Sequence, residues 1–228
     1  MHAFVQLRSA EGKVLAVGDL VQVTHGTRVQ SRLLFHFRDG SVDDETTVFT
    51  QGKMFELVSD HHVQKGPTFP KATDVLVNVP TSEVTTRELK DGKEEVTTEH
   101  VDLPNDLVNG MVPLVLENIS PRTPETKVSY LAASPKPMVV KMLIRPEGSE
   151  TFRVLGERRR AARYTIHIEL SGLAKVVAPI VGKQPSDIRI WVVGDEVATF
   201  VKLEGAFYVG GPIWTMEQAM PSFSKSGH

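Results

Sequence analysis

The chain has 228 residues, of which 40% are hydrophobic and 24% are charged, and its formal net charge is −2 at pH 7. This composition is typical of a globular protein and excludes a disordered or fibrous chain. The small net charge excludes a general electrostatic attraction to nucleic acid or anionic lipid. The absence of cysteine excludes disulfides and thiolate metal sites. All-β domains often reach this length, so we expect one domain over residues 1–228.

β-rich runs separated by turn residues dominate the first part of the chain. Asp39-Gly40 and Asp91-Gly92 predict tight hairpins, because these residue types tolerate the positive φ that such turns require. In the run 29–37, alternate residues form one apolar and one largely polar face, which is typical of a half-buried strand. The predicted strands here cover residues 3–7, 14–24, 29–37, 42–51, 54–64, 72–79, 83–89 and 93–101.

The segment 104–118 is the one long run that predicts a helix. Pro104 suits a first helical turn, whereas Pro113 would kink the helix, so we expect a bent or two-part element. Asp102, Asp106 and Asn109 are its candidate capping residues. Apolar side chains cover nearly all faces of this segment, so it must be enclosed, and the concave side of a bent sheet is the natural place for it.

The second half of the chain returns to strand character, interrupted by a shorter apolar segment over 172–182. Residues 221–228 are expected to form a loose tail. The predicted fold class is therefore mainly β, a large curved antiparallel sheet forming a half-barrel or open barrel with one or two short helices on its concave side. The predicted strands here cover residues 127–133, 138–145, 151–155, 159–170, 188–193, 197–203 and 213–219.

Asp60-His61-His62 is the most suggestive local motif for chemistry. Strand alternation places His61 on one face with Leu57, and places His62 on the other face with Asp60 and Gln64. The two histidines therefore cannot hold one metal ion together unless a β-bulge intervenes. We expect a hydrogen-bonded structural role for at least one of them.

The remaining polar patterns assign no catalytic residue, cofactor or metal ligand. His100 and His167 each precede an acidic residue by two positions, as polar strand faces commonly produce. No zinc-protease motif and no nucleophile elbow is present. The basic run 157–160 is interpreted as a solvated strand edge rather than a nucleic-acid site. An enzyme would require at least two of His62, His100 and His167 to converge with a carboxylate.

Two rigid, proline-containing turns each fix the position of an aromatic side chain. Phe69 lies in the turn 66–70, and Trp214 follows the turn 210–212. These rings plug one end of the sheet or, alternatively, line the entrance of a pocket.

Several motifs together resemble a family of uncharacterised bacterial proteins: 37–41 (FRDGS), 45–49 (ETTVF), 60–70, 103–111 (LPNDLVNGM) and 210–214 (GGPIW). The resemblance spans nearly the whole chain. In strand order the family is similar to the curved half-barrels of the outer-membrane lipoprotein carriers, which hold acyl chains between a bent sheet and covering helices. The resemblance implies a lipid-binding protein and suggests no catalytic residues.

The leading functional hypothesis is a non-enzymatic, extracytoplasmic (periplasmic) protein that binds a lipid or other apolar molecule on its concave side. No export signal is visible in this chain, which opens directly on a strand, as a processed segment would. The alternatives are a hydrolase-like or metal-dependent enzyme, and a module that contacts a protein or a membrane surface through an exposed strand or through 172–182. The predicted ligand-binding residues are Leu107, Met111, Leu114, Val115, Phe69 and Trp214.

Overall fold

A computed structural model describes residues 1–90, 92–133, 136–154, 157–169, 185–194 and 198–219. The apolar segment 172–182 and the tail 221–228 lie outside these residues. The strands are β1 (His2–Arg8), β2 (Val14–His25), β3 (Arg28–Phe37), β4 (Val42–Gln51), β5 (Phe55–Lys65), β6 (Thr73–Asn78), β7 (Glu83–Lys90), β8 (Lys93–His100), β9 (Thr126–Ala132), β10 (Met138–Val154), β11 (Glu157–Glu169), β12 (Ile188–Gly194), β13 (Ala198–Ala206) and β14 (Ile213–Gln218).

These strands form one antiparallel sheet that does not close. Its order is β8-β7-β6-β5-β4-β3-β2-β1-β14-β13-β12-β11-β10-β9. Strands adjacent in sequence are therefore adjacent in the sheet, except β8 and β9, and the first and last strands, β1 and β14, pair within it. The chain jumps from the edge strand β8 to the opposite edge strand β9 through residues 101–125. This architecture confirms the prediction of a mainly β protein with a curved open sheet.

One strand prediction was wrong, because residues 138–154 form a single long strand rather than two. Pro146 lies within β10, and the pairing with β11 shifts register between Pro146 and Ser149. This irregularity accommodates a residue that cannot donate a backbone hydrogen bond, so the strand continues beyond the proline.

The helix prediction was too long. Within the described residues, the helical part of 104–118 is α1 (Val112–Glu117), and Pro113 lies in its first turn rather than at a kink. A proline is tolerated there because the first N–H groups of a helix have no partner within it. Asp106 and Asn109 do not cap this helix. They bind β9 instead.

Residues 103–119 form a strap across the concave side of the sheet. At one point the strap covers the free edge of β9, where Val108 N donates to Ser129 O at 3.0 Å and Ser129 N donates to Asp106 O at 3.0 Å. Further along, α1 packs against β12 and β13. The strap contributes Leu107, Met111 and Leu116 to the main hydrophobic core.

Candidate functional site

Polar side chains on β4 and β5 face the concave side of the sheet, next to the core. The register places Asp43 opposite Gln64, Glu45 opposite His62, and Thr47 opposite Asp60. Directly opposed residues on neighbouring strands lie on the same face, so these side chains form one group. We call it the polar cluster: Asp43, Glu45, Thr47, Asp60, His62 and Gln64.

A β-bulge determines which histidine enters the polar cluster. The β4–β5 register shifts between Val48 and Phe49, so Leu57 is opposite Phe49 and both are buried. The expectation that Leu57 shares a face with His61 was therefore wrong, because the extra residue reverses the alternation. His61 Nε2 instead lies within hydrogen-bond distance of Asp74 Oδ1, at 2.9 Å. His62 lies on the concave face with Asp60 and Gln64, as predicted.

Hydrogen bonds link several members of the polar cluster to one another. His62 Nε2 lies 2.7 Å from Asp43 Oδ1, and Gln64 Nε2 donates to Asp43 Oδ2 at 3.1 Å. Thr47 Oγ1 donates to Asp60 Oδ1 at 2.7 Å. Both Asp43 oxygens are thus engaged. Within the described part of the chain, no group forms a hydrogen bond with the Glu45 carboxyl.

Burial and neighbouring carboxylates determine the protonation of Glu45. Loss of solvation, followed by the charge of Asp60, raises the pKa of Glu45 to about 8. The pKa of Asp60 is also raised, chiefly by burial, although the hydrogen bond from Thr47 acts in the opposite direction. Glu45 therefore holds a proton at neutral pH in the absence of a further partner.

His62 and Tyr130 respond to the same negative charges. Burial lowers the pKa of His62, but the hydrogen bond to Asp43 and the charges of Glu45, Asp43 and Asp60 raise it to about 9 overall. Tyr130, on β9, faces the same carboxylates from across the concave side. Burial and then those charges raise the pKa of its hydroxyl. At neutral pH His62 is accordingly protonated, and Tyr130 keeps its proton.

Glu45 and His62 belong to a partly accessible line of side chains that crosses four strands. Leu20 is opposite Leu33, Leu33 is opposite Glu45, and Glu45 is opposite His62. All four are partly exposed, His62 to 27% of its side chain. We call them the cross-strand row. Its length is roughly 14 Å, given strand spacings of about 4.8 Å.

The residues on either side of the cross-strand row are buried. On one side Phe35 is followed by Asp43 and Gln64, and Gln64 Nε2 donates to Phe207 O at 2.7 Å. On the other side Thr47 and Asp60 are covered by the strap at Gly110. We call the partly accessible row between these two buried rows the recess. It is apolar at Leu20 and Leu33, which pack against the margin of the core, and polar at Glu45 and His62.

At Gly110 the strap lies directly against β4 and β5. A Cβ atom there would lie 1.8 Å from Thr47 Oγ1 and 2.9 Å from Asp60 Oδ1. The residue also has a φ of 65°, which is readily adopted by glycine. Only a residue without a side chain fits between the strap and the Thr47–Asp60 pair.

The predicted ligand residues of the strap divide between the core and its margin. Leu107 and Met111 are each 1% exposed and pack in the core. Leu114 and Val115, on α1, are partly buried against the same core. Their contact with a ligand stays a prediction.

The other two predicted ligand residues, Phe69 and Trp214, belong to an aromatic cluster. Phe37 lies between them, with ring centroids 5.3 Å from Phe69 and 5.7 Å from Trp214. Tyr208 also contacts both rings, at 5.8 Å and 5.7 Å. Three of these four ring contacts are edge-to-face, and the Phe37–Trp214 contact is tilted. That these rings plug one end of the sheet stays a prediction. Contact of Phe69 or Trp214 with a ligand stays a prediction.

The three histidines considered for catalysis lie apart. His100, on the exposed edge strand β8, bonds through Nδ1 to Ser82 O at 3.0 Å. His167 lies in a depression of about 180 Å³ and bonds to Asp187 at 2.8 Å. His62 alone of the three joins the polar cluster. In the described ranges, no group of three His, Asp or Glu side chains is arranged to hold a metal ion.

Sequence reasoning identified His62, Asp60 and Gln64 but missed the rest of the recess. Asp43 and Glu45 are two positions apart on β4 and therefore lie on the same face of the strand. This spacing was the sequence feature that could have predicted a polar inner face. Leu20, Leu33 and Tyr130 carried no such signal, because their positions depend on pairing and on the curvature of the sheet.

No protein-family model, curated protein or solved structure matches this chain. The resemblance to uncharacterised bacterial proteins and to lipoprotein carriers therefore rests on the sequence motifs alone. The described residues include no helix long and apolar enough to span a membrane. The extracytoplasmic location stays a prediction.

Proposed function

We propose that this chain binds a small amphiphilic molecule, a lipid or other apolar compound with one polar end, in the recess of the cross-strand row. The observation that carries the proposal is the partly exposed line from Leu20 to His62 between two rows of buried residues. Ligand sites are typically concave, mostly apolar and supplied with a few well-placed polar groups. The combination of two apolar and two polar side chains in one accessible row supports this proposal.

The recess has an apolar half and a polar half, and this arrangement supports a ligand with one apolar end and one polar end. Leu20 and Leu33 would contact an alkyl part, and burial of each exposed methylene contributes about 0.8 kcal/mol. Glu45 and His62 would contact the polar end, where the Glu45 carboxyl has an unused hydrogen-bonding position. A purely apolar ligand would leave that carboxyl without a partner, at a cost of about 1–3 kcal/mol.

In this proposal, the alkyl part of the ligand contacts mainly residues of the sheet. Leu107 and Met111 form part of the packed core beneath the strap, and their burial stabilises the fold. Leu114 and Val115 remain candidates for a second apolar wall, because both are partly exposed on α1.

Calorimetric titration with decanol tests the proposal. A carboxylate in the apolar half of the recess would have to be desolvated on ligand binding, so Leu33→Asp should weaken decanol binding at least about tenfold. Leu20→Asp, the next position in the row, should have the same effect. The matched control is Val17→Asp, because Val17 is 58% exposed on the opposite face of β2 and should leave binding within about twofold.

Circular dichroism establishes that each variant is folded. Unchanged decanol affinity in both folded row variants would contradict the proposed function, as would the absence of binding to the wild-type chain.

A further inference from the structure

The open sheet has two edge strands, β9 and β8, which differ in how their outward backbone groups are bonded. On β9, the strap bonds to both the N–H and the C=O of Ser129, and the Asn109 side chain bonds to those of Leu131. On β8, no element of the described chain covers the edge, and all residues except Glu99 are exposed. An open edge strand of this length is a template for pairing with another chain.

The pairing of β8 with β7 determines which backbone groups of β8 point outward. Val101 N donates to Ser82 O at 2.9 Å, and hydrogen-bonded pairs alternate with non-bonded pairs along antiparallel strands. The odd-numbered residues of β8 therefore bond to β7, whereas the N–H and C=O groups of Glu94, Val96 and Thr98 point away from it. Among the described residues, no group bonds to these outward groups. The β7–β8 ladder has no register shift, so they form one regular row.

From this row we infer that β8 is an interaction surface for a second copy of this chain, with the two β8 strands pairing antiparallel about a two-fold axis at Val96. In this register Val96 lies opposite Val96 of the partner subunit, and Glu94 lies opposite Thr98 of the partner subunit. Both pairings join residues whose backbone groups point outward, so about six backbone hydrogen bonds form between the copies. A contact of this symmetry uses the same surface on both chains and closes at two copies.

The side chains of β8 favour this register. Lys93 lies opposite Glu99 of the partner subunit, and the two-fold axis repeats this ion pair on its other side. Moving the axis by one residue, to Glu95 or to Thr97, would oppose Glu95 to its own copy or to Glu99, and like charges directly opposite one another are destabilising. Val96, which is 55% exposed in one chain, becomes partly covered at the axis. The charges that guard this edge against most partners therefore permit this one.

Sedimentation velocity at protein concentrations from about 1 μM to about 1 mM tests the inference. We expect the wild-type chain to form dimers within this range. Lys93→Glu and Glu99→Lys should each weaken the dimer at least about tenfold, because each change replaces two ion pairs by two repulsions. The double variant that combines them restores both ion pairs with reversed sign, so its dimer affinity should return to within about threefold of wild type.

Val96→Pro tests the backbone contribution to the dimer. The N–H of Val96 points away from β7, and a proline is tolerated in an edge strand where its nitrogen faces solvent. This variant should therefore keep the fold and weaken the dimer at least about tenfold, because it removes both hydrogen bonds at the axis. Unchanged dimerisation of folded Val96→Pro would contradict pairing at this residue.

The matched control is Lys53→Glu, which makes the same change of charge at an exposed residue between β4 and β5 and should leave the dimer affinity unchanged. Circular dichroism establishes that each variant is folded. A wild-type chain that stays monomeric throughout the range would overturn the inference. Folded single charge variants that dimerise like wild type, or a double variant that does not recover, would overturn it as well. Each of these results leaves the proposed binding of decanol in the cross-strand row standing.

Discussion

At the scale of single residues, Glu45 is the group on which the chemistry of the recess depends. It lies opposite His62, between the covered pairs Asp43–Gln64 and Thr47–Asp60. Those neighbours form hydrogen bonds with one another, whereas no described group bonds to the Glu45 carboxyl, so we propose that Glu45 is available to a ligand. Because Glu45 is poorly solvated and has no hydrogen-bond partner among the described residues, its ionisation in the folded protein is unfavourable.

The free energy of unfolding should therefore depend on pH through the ionisation of Glu45. The pKa of Glu45 rises from 4.5 in the unfolded chain to about 8 in the fold, so the native state binds the extra proton between these values. Stability from this group is fully present below pH 4.5 and is lost as the pH rises through 8. Glu45→Gln should therefore be more stable than wild type at pH 9, by on the order of 1–2 kcal/mol, and similar to it at pH 4.5.

Urea unfolding at these two pH values measures the difference, with Glu56→Gln as the exposed control. His62, whose pKa rises to about 9, loses its own contribution over a higher range, from 6.5 to 9. Equal stability of Glu45→Gln and wild type at pH 9 would show that Glu45 is not held protonated by the fold.

Which residues face the recess could be predicted only in part, because one bulge decides it. Near the turn, Gln51 pairs with Phe55, and continuing that register would place Glu45 opposite His61. The shift between Val48 and Phe49 places it opposite His62 instead. A single inserted residue moves every later side chain of the strand to the opposite face. Residues 55–60 contain no glycine that would have indicated a bulge in the sequence.

At the scale of elements, the strap joins distant parts of the sheet. Asn109 makes two hydrogen bonds with the backbone of Leu131 on β9, at 3.0 Å and 2.8 Å. The Tyr164 hydroxyl on β11 donates to Ile119 O at 2.8 Å. The apolar content of 104–118 correctly indicated enclosure, but these polar contacts hold its first part in a non-helical path. Helical propensity was overridden by pairing with an edge strand that needs partners.

Substitution of Gly110 tests the seating of the strap on β4 and β5. Gly110→Ala should lower the free energy of unfolding by about 3 kcal/mol or more, because it combines an unfavourable φ with a clash against Thr47. The matched control is Gly26→Ala. Its φ of 61° is similar, but nothing lies within 4 Å of the added Cβ, so it should cost only about 1 kcal/mol.

Chemical denaturation of both variants gives the comparison. Equal losses for Gly110→Ala and Gly26→Ala would mean that backbone conformation alone matters and that the strap does not press against Thr47.

At the scale of the whole molecule, the sheet is a meander that starts at its centre and reaches both edges. The strand positions could be predicted because turn residues such as Asp39-Gly40 separate runs of period-two alternation. The β1–β14 pairing and the passage from β8 to β9 could not, since both bring together residues distant in sequence. The recess depends on these long-range features, because curvature brings Tyr130 of β9 towards Glu45 of β4.

Methyl NMR during a decanol titration tests the central claim most directly, because it observes the side chains of the recess themselves. We predict that the methyl signals of Leu20 and Leu33 shift together and saturate, while those of Leu89, which is 75% exposed on β7, stay unchanged. Signals of Leu20 and Leu33 that do not move at saturating decanol, or shifts confined to exposed methyl groups such as those of Leu89, would contradict a ligand site in the cross-strand row.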